Sequence, residues 1–164
     1  MNIDQRRSLD YVSRDYVVFK LRERLNDLPE YVKAILLFGS IARGEASAHS
    51  DVDLLVLHSG LPITDLVMRR RHLYSLIVER LSDVFKSITL IDMDLESFLK
   101  PMTITPLLLN IYFDAIVVID RVEVLVEFLE IVRKRIIEAG LRRIKDGKAY
   151  YWVLPKPLEK VKVI

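Results

Sequence analysis

The sequence predicts an α/β domain, a mixed central sheet flanked by helices. Three observations predict it. Short apolar runs at 32–38, 54–57 and 115–119 are nearly continuous in Ile, Val and Leu, as strands covered on both faces are. Longer stretches with apolar residues at helical spacing alternate with those runs. Hydrophobic residues make up 51% of the 164, enough to furnish a real core.

Taken in order, residues 4–26 read as a helix, with Val12, Tyr16, Phe19 and Leu21 to Leu25 close to one stripe. Asn26-Asp27-Leu28-Pro29 ends it, because proline disfavours helix at the residue before it. Val32–Phe38 is the first strand. Gly39-Ser40 then opens a short helical turn through Arg43, and Gly44 to Ser50 is a polar loop. Asp51–His58 is the second strand. Ser59-Gly60-Leu61-Pro62 turns the chain into a helix at 64–81, with Thr64 as N-cap, Asp65 in the first turn, and Leu66, Leu73, Ile77 and Leu81 as the apolar face. Arg69-Arg70-Arg71-His72 fans around that helix as a solvated face.

Residues 84–93 form the third strand. Asp94 to Lys100 is a short helix stopped by Pro101, and Pro106 suits the first turn of a helix running to Tyr112. Ala115–Ile119 is a fourth strand, followed by a helix from Arg121 to Ala139 with Gly140 at its end. The tail carries an Asp146-Gly147 turn, then Tyr150-Tyr151-Trp152, Pro155 and Pro157. The apolar 104–118 region suits either a homodimer interface or a small core. No repeat or linker divides the chain, so one domain is expected over 1–164, with its core at 30–120 and a helix and basic tail at 121–164.

The bulk properties exclude several classes. With no cysteine there are no disulfides and no thiolate metal sites. No apolar run reaches the roughly 18 residues of a membrane span. Met1 to Arg7 lacks the apolar stretch of a secretory signal. The expectation is a cytoplasmic protein with no membrane partner. One glutamine and three asparagines against 29% charged residues fit a thermophile. The net charge of +2 is uneven: residues 121–164 hold eleven Lys/Arg and six Asp/Glu, net +5, leaving net −3 on residues 1–120. A basic segment suits a protein that handles phosphates, and it is also how an ordinary solvated helix looks. Nucleic acid stays open as a partner, although no recognition motif for it is present.

The chemistry concentrates between Phe38 and Leu54. Asp51 and Asp53, at i and i+2, point to one face at the head of a strand, about 6.6 Å apart along it. Two like charges that close repel unless a cation sits between them, and Mg²⁺, a hard ion that takes oxygen ligands, suits the place. Upstream, Gly39 lets the backbone approach a ligand, Ser40 supplies a hydroxyl, and the start of a helical turn offers amides to an anion. Phosphate opposite a carboxylate pair is the layout of phosphoryl or nucleotidyl transfer. A surface strand with two solvated aspartates would explain the acids but not the spacing.

The run LLFGSIARGEASAHSDVDLLVL resembles the signature of DNA polymerase β-like nucleotidyltransferases: an apolar residue, Gly-Ser, a spacer, then Asp-x-Asp between apolar residues. Ala42-Arg43-Gly44 and Ser50 resemble the minimal nucleotidyltransferase branch of bacteria and archaea. The resemblance is strong over 32–58 and looser to 120, and Arg142 to Trp152 is similar to the carboxyl end of prokaryotic members. It implies a palm-like core and two Mg²⁺ ions held by Asp51, Asp53 and a third carboxylate. It also implies that Gly39 and Ser40 hold the β- and γ-phosphates. Arg43 either neutralises those phosphates or is a plain surface arginine.

Asp92 and Asp94 are the candidates for the third acid. Asp92 is favoured, because Asp94 makes a natural cap for the next helix. If neither reaches the pair, the second ion is poorly held and the protein binds nucleotides without turning them over. The implied activity moves a nucleoside monophosphate, AMP from ATP in the first place, to a hydroxyl. A tyrosine of a HEPN-type toxin is one acceptor the branch suggests, which would make this chain an antitoxin and that toxin its partner. Small molecules and nucleic-acid 3′ ends serve other branches. The alternative of another class is a non-catalytic nucleotide-binding or dimerising module. His49, His58 and His72 lack metal-ligand spacing and rank low. Tyr150-Tyr151-Trp152 either packs down the tail, the favoured reading, or stacks on a base.

Overall fold

A computed structural model describes residues 13–47, 49–147, 149–156 and 162–164. The sheet's four strands are β1 (Val32–Phe38), β2 (Val52–His58), β3 (Ile88–Asp94) and β4 (Ile116–Asp120). Among the described residues six helices accompany them: α1 (Arg14–Arg24), α2 (Gly39–Ala42), α3 (Leu66–Leu81), α4 (Leu95–Leu99), α5 (Pro106–Asp114) and α6 (Leu125–Glu138). The strand order is β3-β2-β1-β4. β1 runs antiparallel to β2 and β4, while β2 and β3 are parallel. The sheet is therefore mixed, as expected: the short α2 connection returns the chain antiparallel, and α3 provides the long crossover that a parallel pair needs.

The pleat splits the core in two. On one face α1 and α3 bring Val17, Leu21, Leu25, Leu73, Ile77 and Leu81 onto Ile35, Leu37, Leu54 and Val56. On the other, α4, α5 and α6 bring Phe98, Leu108, Tyr112, Leu129 and Ile136 onto Ala34, Leu36, Leu55 and Leu57. The central strands β1 and β2 are buried on both faces, which is why they read as unbroken apolar runs. The buried Tyr112 hydroxyl donates to the Phe98 carbonyl at 2.5 Å, so its polar end is satisfied inside the second layer.

Several local expectations shift. In α1 the buried stripe is Val17, Leu21 and Leu25, and Tyr16 and Phe19 are exposed; residues 4–12 lie outside those described. Asp65, not Thr64, caps α3, its carboxylate accepting from the Met68 N–H at 2.8 Å. The helix expected from Arg121 starts only at Leu125, because the Asp120 carboxylate takes the N–H groups of Val122, Glu123 and Leu125 and holds them in a turn. The 104–118 region is largely core, with Leu108, Leu109, Ile111, Tyr112, Ala115 and Val118 buried.

The tail is more ordered than a turn. β5 (Arg142–Asp146) and β6 (Ala149–Val153) pair as an antiparallel hairpin, with Gly147 at φ 58° between them. Pro157 lies outside the described residues. Among the described residues no helix is long and apolar enough to cross a membrane.

Candidate active site

The site forms where β1 ends and β2 begins. Phe38 pairs with Asp53 across the antiparallel ladder, so the turn after β1 comes back over the head of β2. Gly39 sits in that turn at φ +76°, and a Cβ there would stand 1.9 Å from Asp53 Oδ2. Only glycine lets the carboxylate lie against the backbone in this way. Ser40 follows in α2, and its carbonyl accepts from the Glu45 N–H at 2.9 Å, closing the loop. The Ser50 hydroxyl accepts from the Ser47 N–H at 2.8 Å and shapes the approach to Asp51.

Asp53 lies on the α4–α6 face of the sheet, in line with Leu55 and Leu57, and is half-buried. Burial, and then the neighbouring Asp51 carboxylate, push its acid up to about 6; Arg43 and the Thr89 hydroxyl pull the other way without cancelling them. A half-buried carboxylate with a second one beside it offers oxygen donors suited to a hard divalent ion. Asp51 and Asp53 could hold one between them.

Asp92 does not complete this group, and here the sequence expectation is corrected. Thr89, not Asp92, is the register partner of Asp53; Asp92 stands beside Val56, three residues and about 10 Å further along. Neighbours in register share a face, so Asp92 points with Val56 and Leu90 toward α3, through the sheet from the acid pair. There its fully buried carboxylate accepts from Arg69 Nε at 2.7 Å and lies 3.3 Å from His58 Nε2. Its Oδ1 makes no hydrogen bond and has Arg70 Nε at 3.4 Å. The arginines read as a solvated face are thus partly spent on this buried acid. Asp94 caps α4, accepting from the Glu96 and Ser97 N–H groups. Among the described residues no three acids or histidines gather in a way that could hold a metal.

Arg43 is engaged within the fold. Its Nε donates to Glu45 at 3.0 Å, its Nη1 lies 3.6 Å from Asp114, and its guanidinium sits 4.7 Å from the Tyr150 ring centre. Glu45 also accepts from Lys145 Nζ at 2.7 Å and from the Tyr150 hydroxyl. Those three donors, Lys145 first, drop the Glu45 acid to about 2. Arg143 pairs with Asp114 and stacks on Phe113 and Tyr150. Trp152 donates to Asn110 at 2.8 Å and meets Phe113 edge-on. Of the three tail aromatics, Tyr150 and Trp152 pack down the tail and Tyr151 is exposed. His49 is exposed, and His72 bonds the Tyr31 hydroxyl at 2.6 Å.

Sequence reasoning missed Thr89, Glu45, Asp114 and the hairpin. Thr89 needed the strand register. The hairpin carried a legible signal, Asp-Gly between short runs of alternating character, but Glu45, which receives Lys145 and Tyr150, lies about a hundred residues away and no local pattern names it.

A mixed sheet with an acid pair opening its second strand, beside a glycine turn, is the frame of a phosphate-handling transferase. The chain belongs to the nucleotidyltransferase domain family, which matches residues 18–103, just over half of it. Among curated proteins none matches. Solved structures similar to it include a candidate nucleotidyltransferase from Sulfolobus solfataricus (16% identity, 67% of this chain and 82% of that one, TM-score 0.42). A toxin-antitoxin with AMP-PNP (17%, 79% and 94%, TM-score 0.40) is similar too, as is a mutant of the toxin-antitoxin MntA-HpeT (16%, 79% and 94%, TM-score 0.39). These likenesses are distant in sequence, and the assignment rests on the family match.

Proposed function

We propose that the chain is a Mg²⁺-dependent nucleotidyltransferase that moves AMP from ATP to a hydroxyl acceptor, with all 164 residues forming one such domain. The acceptor oxygen bonds to the α-phosphorus, the bond from that phosphorus to the β-bridging oxygen breaks, and pyrophosphate leaves. The observation that carries the reading is the Asp53 carboxylate lying against Gly39, which brings the acid pair and the phosphate-binding turn into contact. Asp51 and Asp53 would hold the divalent ion. When bound, it neutralises phosphate charge and lowers the pKa of the attacking hydroxyl. Gly39 and Ser40 would bind the β- and γ-phosphates through backbone N–H groups and the hydroxyl, and Arg43 would add positive charge beside them. A tyrosine of a HEPN-type partner is the first acceptor to try, on the strength of the motif's likeness to the minimal branch.

A second reading has a specific observation in its favour. With Thr89 beside Asp53 and Asp92 through the sheet, the site offers two acids where the family pattern uses three. A protein that binds nucleotide and turns it over slowly or not at all fits that set. Labelled ATP with Mg²⁺ and candidate acceptors separates the two. Label on the acceptor, lost in Asp51→Ala and Asp53→Ala, supports the transferase. Nucleotide binding without transfer supports the second reading, and unchanged transfer in both variants refutes the site.

A further inference from the structure

The hairpin β5–β6 has no fully buried residue on either strand, and its apolar anchorage is Trp152, packed edge-on against Phe113 at the margin of the second core layer. Charges and rings around Arg43 hold its other end. Glu45 gathers Arg43, Lys145 and the Tyr150 hydroxyl on one carboxylate. Asp114 takes Arg143 and lies near Arg43, and the Tyr150 ring stacks with both guanidiniums, at 4.7 and 4.4 Å.

The result for Arg43 is specific. Its Nε edge is bonded to Glu45, its Nη1 is drawn to Asp114, and Tyr150 fixes the plane of the guanidinium. Arg43 so held stands four residues from the glycine that touches Asp53. A free arginine loses much rotamer freedom when it clamps a phosphate, and one held in advance does not.

We propose that Glu45 and Tyr150 are positioning residues that pre-set the Arg43 guanidinium for the triphosphate of a bound nucleotide. The inference rests on the nucleotide-binding reading above. It gives the hairpin a part in recognition that comes from a segment outside the matched family region, and it makes that part act through Arg43 alone.

The test is calorimetric titration of ATP with Mg²⁺ into the wild type, Glu45→Gln, Tyr150→Phe, Tyr150→Leu and Arg43→Ala, and into Arg43→Ala combined with each of the others. Trp152 emission reports separately whether the hairpin stays docked. Glu45→Gln and Tyr150→Leu should weaken ATP about tenfold, the size of one charge-assisted bond. Tyr150→Phe, which keeps the ring, should recover most of that loss. In the Arg43→Ala background the same substitutions should change affinity less than about twofold, because the residue they orient is gone. Equal losses with and without Arg43, or Glu45→Gln and Tyr150→Leu proteins that bind as tightly as wild type, would overturn the inference and leave the nucleotide-binding reading intact. A wild type that binds no nucleotide would remove both. Should Tyr150→Leu fail to fold, Glu45→Gln with and without Arg43→Ala carries the same comparison.

Discussion

Asp53 Oδ2 occupies the space in which a side chain on Gly39 would stand, 1.9 Å from the Cβ position. A substitution at Gly39 must therefore move either the glycine turn or the acid. Gly39→Ala should cost about 2 kcal/mol or more, from strained backbone and displaced carboxylate together, and should abolish stabilisation by nucleotide. Gly44 has nearly the same φ, +72°, with nothing within 4 Å of its Cβ position. Gly44→Ala should cost only about 1 kcal/mol and keep the nucleotide response. Urea unfolding of both variants, with and without ATP and Mg²⁺, checks the contrast.

Asp92 gives a second contrast, because its buried carboxylate serves the α3 layer and not the acid pair. Asp92→Asn should destabilise the fold by about 1–3 kcal/mol, as Arg69 and His58 lose a charged acceptor. The folded variant should still show the full thermal shift with ATP and Mg²⁺. Loss of that shift at wild-type stability would return Asp92 to the site.

These two residues also mark what the sequence made legible. The Gly39-Ser40 turn, its spacer and the acid pair are contiguous, so strand periodicity and residue chemistry locate them without coordinates. The central strands stand out because both faces are covered. Asp92 went astray because its identity and its position near a strand end are local facts, while its face depends on register with β2, which only the paired structure supplies. Pleat parity held part of the answer: Asp92 shares a face with Ile88 and Leu90, whereas the residue beside Asp53 is Thr89. The Glu45–Tyr150 contact was beyond any local pattern, since the two residues lie 105 positions apart and neither sits in a motif that names the other.

Hairpin docking should depend on acid. The Glu45 carboxyl lies near 2 in the folded protein against an ordinary 4.5, so its ionised form is favoured by folding. The stabilisation is fully present above about 4.5 and is lost as the pH falls from there toward 2. Because Glu45 is largely exposed, screening keeps the effect to about 1 kcal/mol or less. Trp152 emission, read from pH 7 down to 2, should report undocking over that window. Glu45→Gln should show looser docking at pH 7 and little further change attributable to this position.

Burial and the neighbouring carboxylate make ionised Asp53 costly in the metal-free chain. Asp53→Asn should therefore raise the melting temperature of the metal-free protein while removing its response to divalent ions, stability gained at the expense of function. A fall in stability would mean that Asp53 is satisfied by protein contacts alone.

The most direct test of the acid pair as a cation and triphosphate site is a thermal shift with ATP and Mg²⁺, compared between wild type and Asp51→Asn. At a hundred times Kd the wild type should gain about 2.7 kcal/mol of stability, with the gain dependent on Mg²⁺ and absent in the variant. A wild type that does not respond, or an Asp51→Asn protein that responds as fully as wild type, would contradict the account.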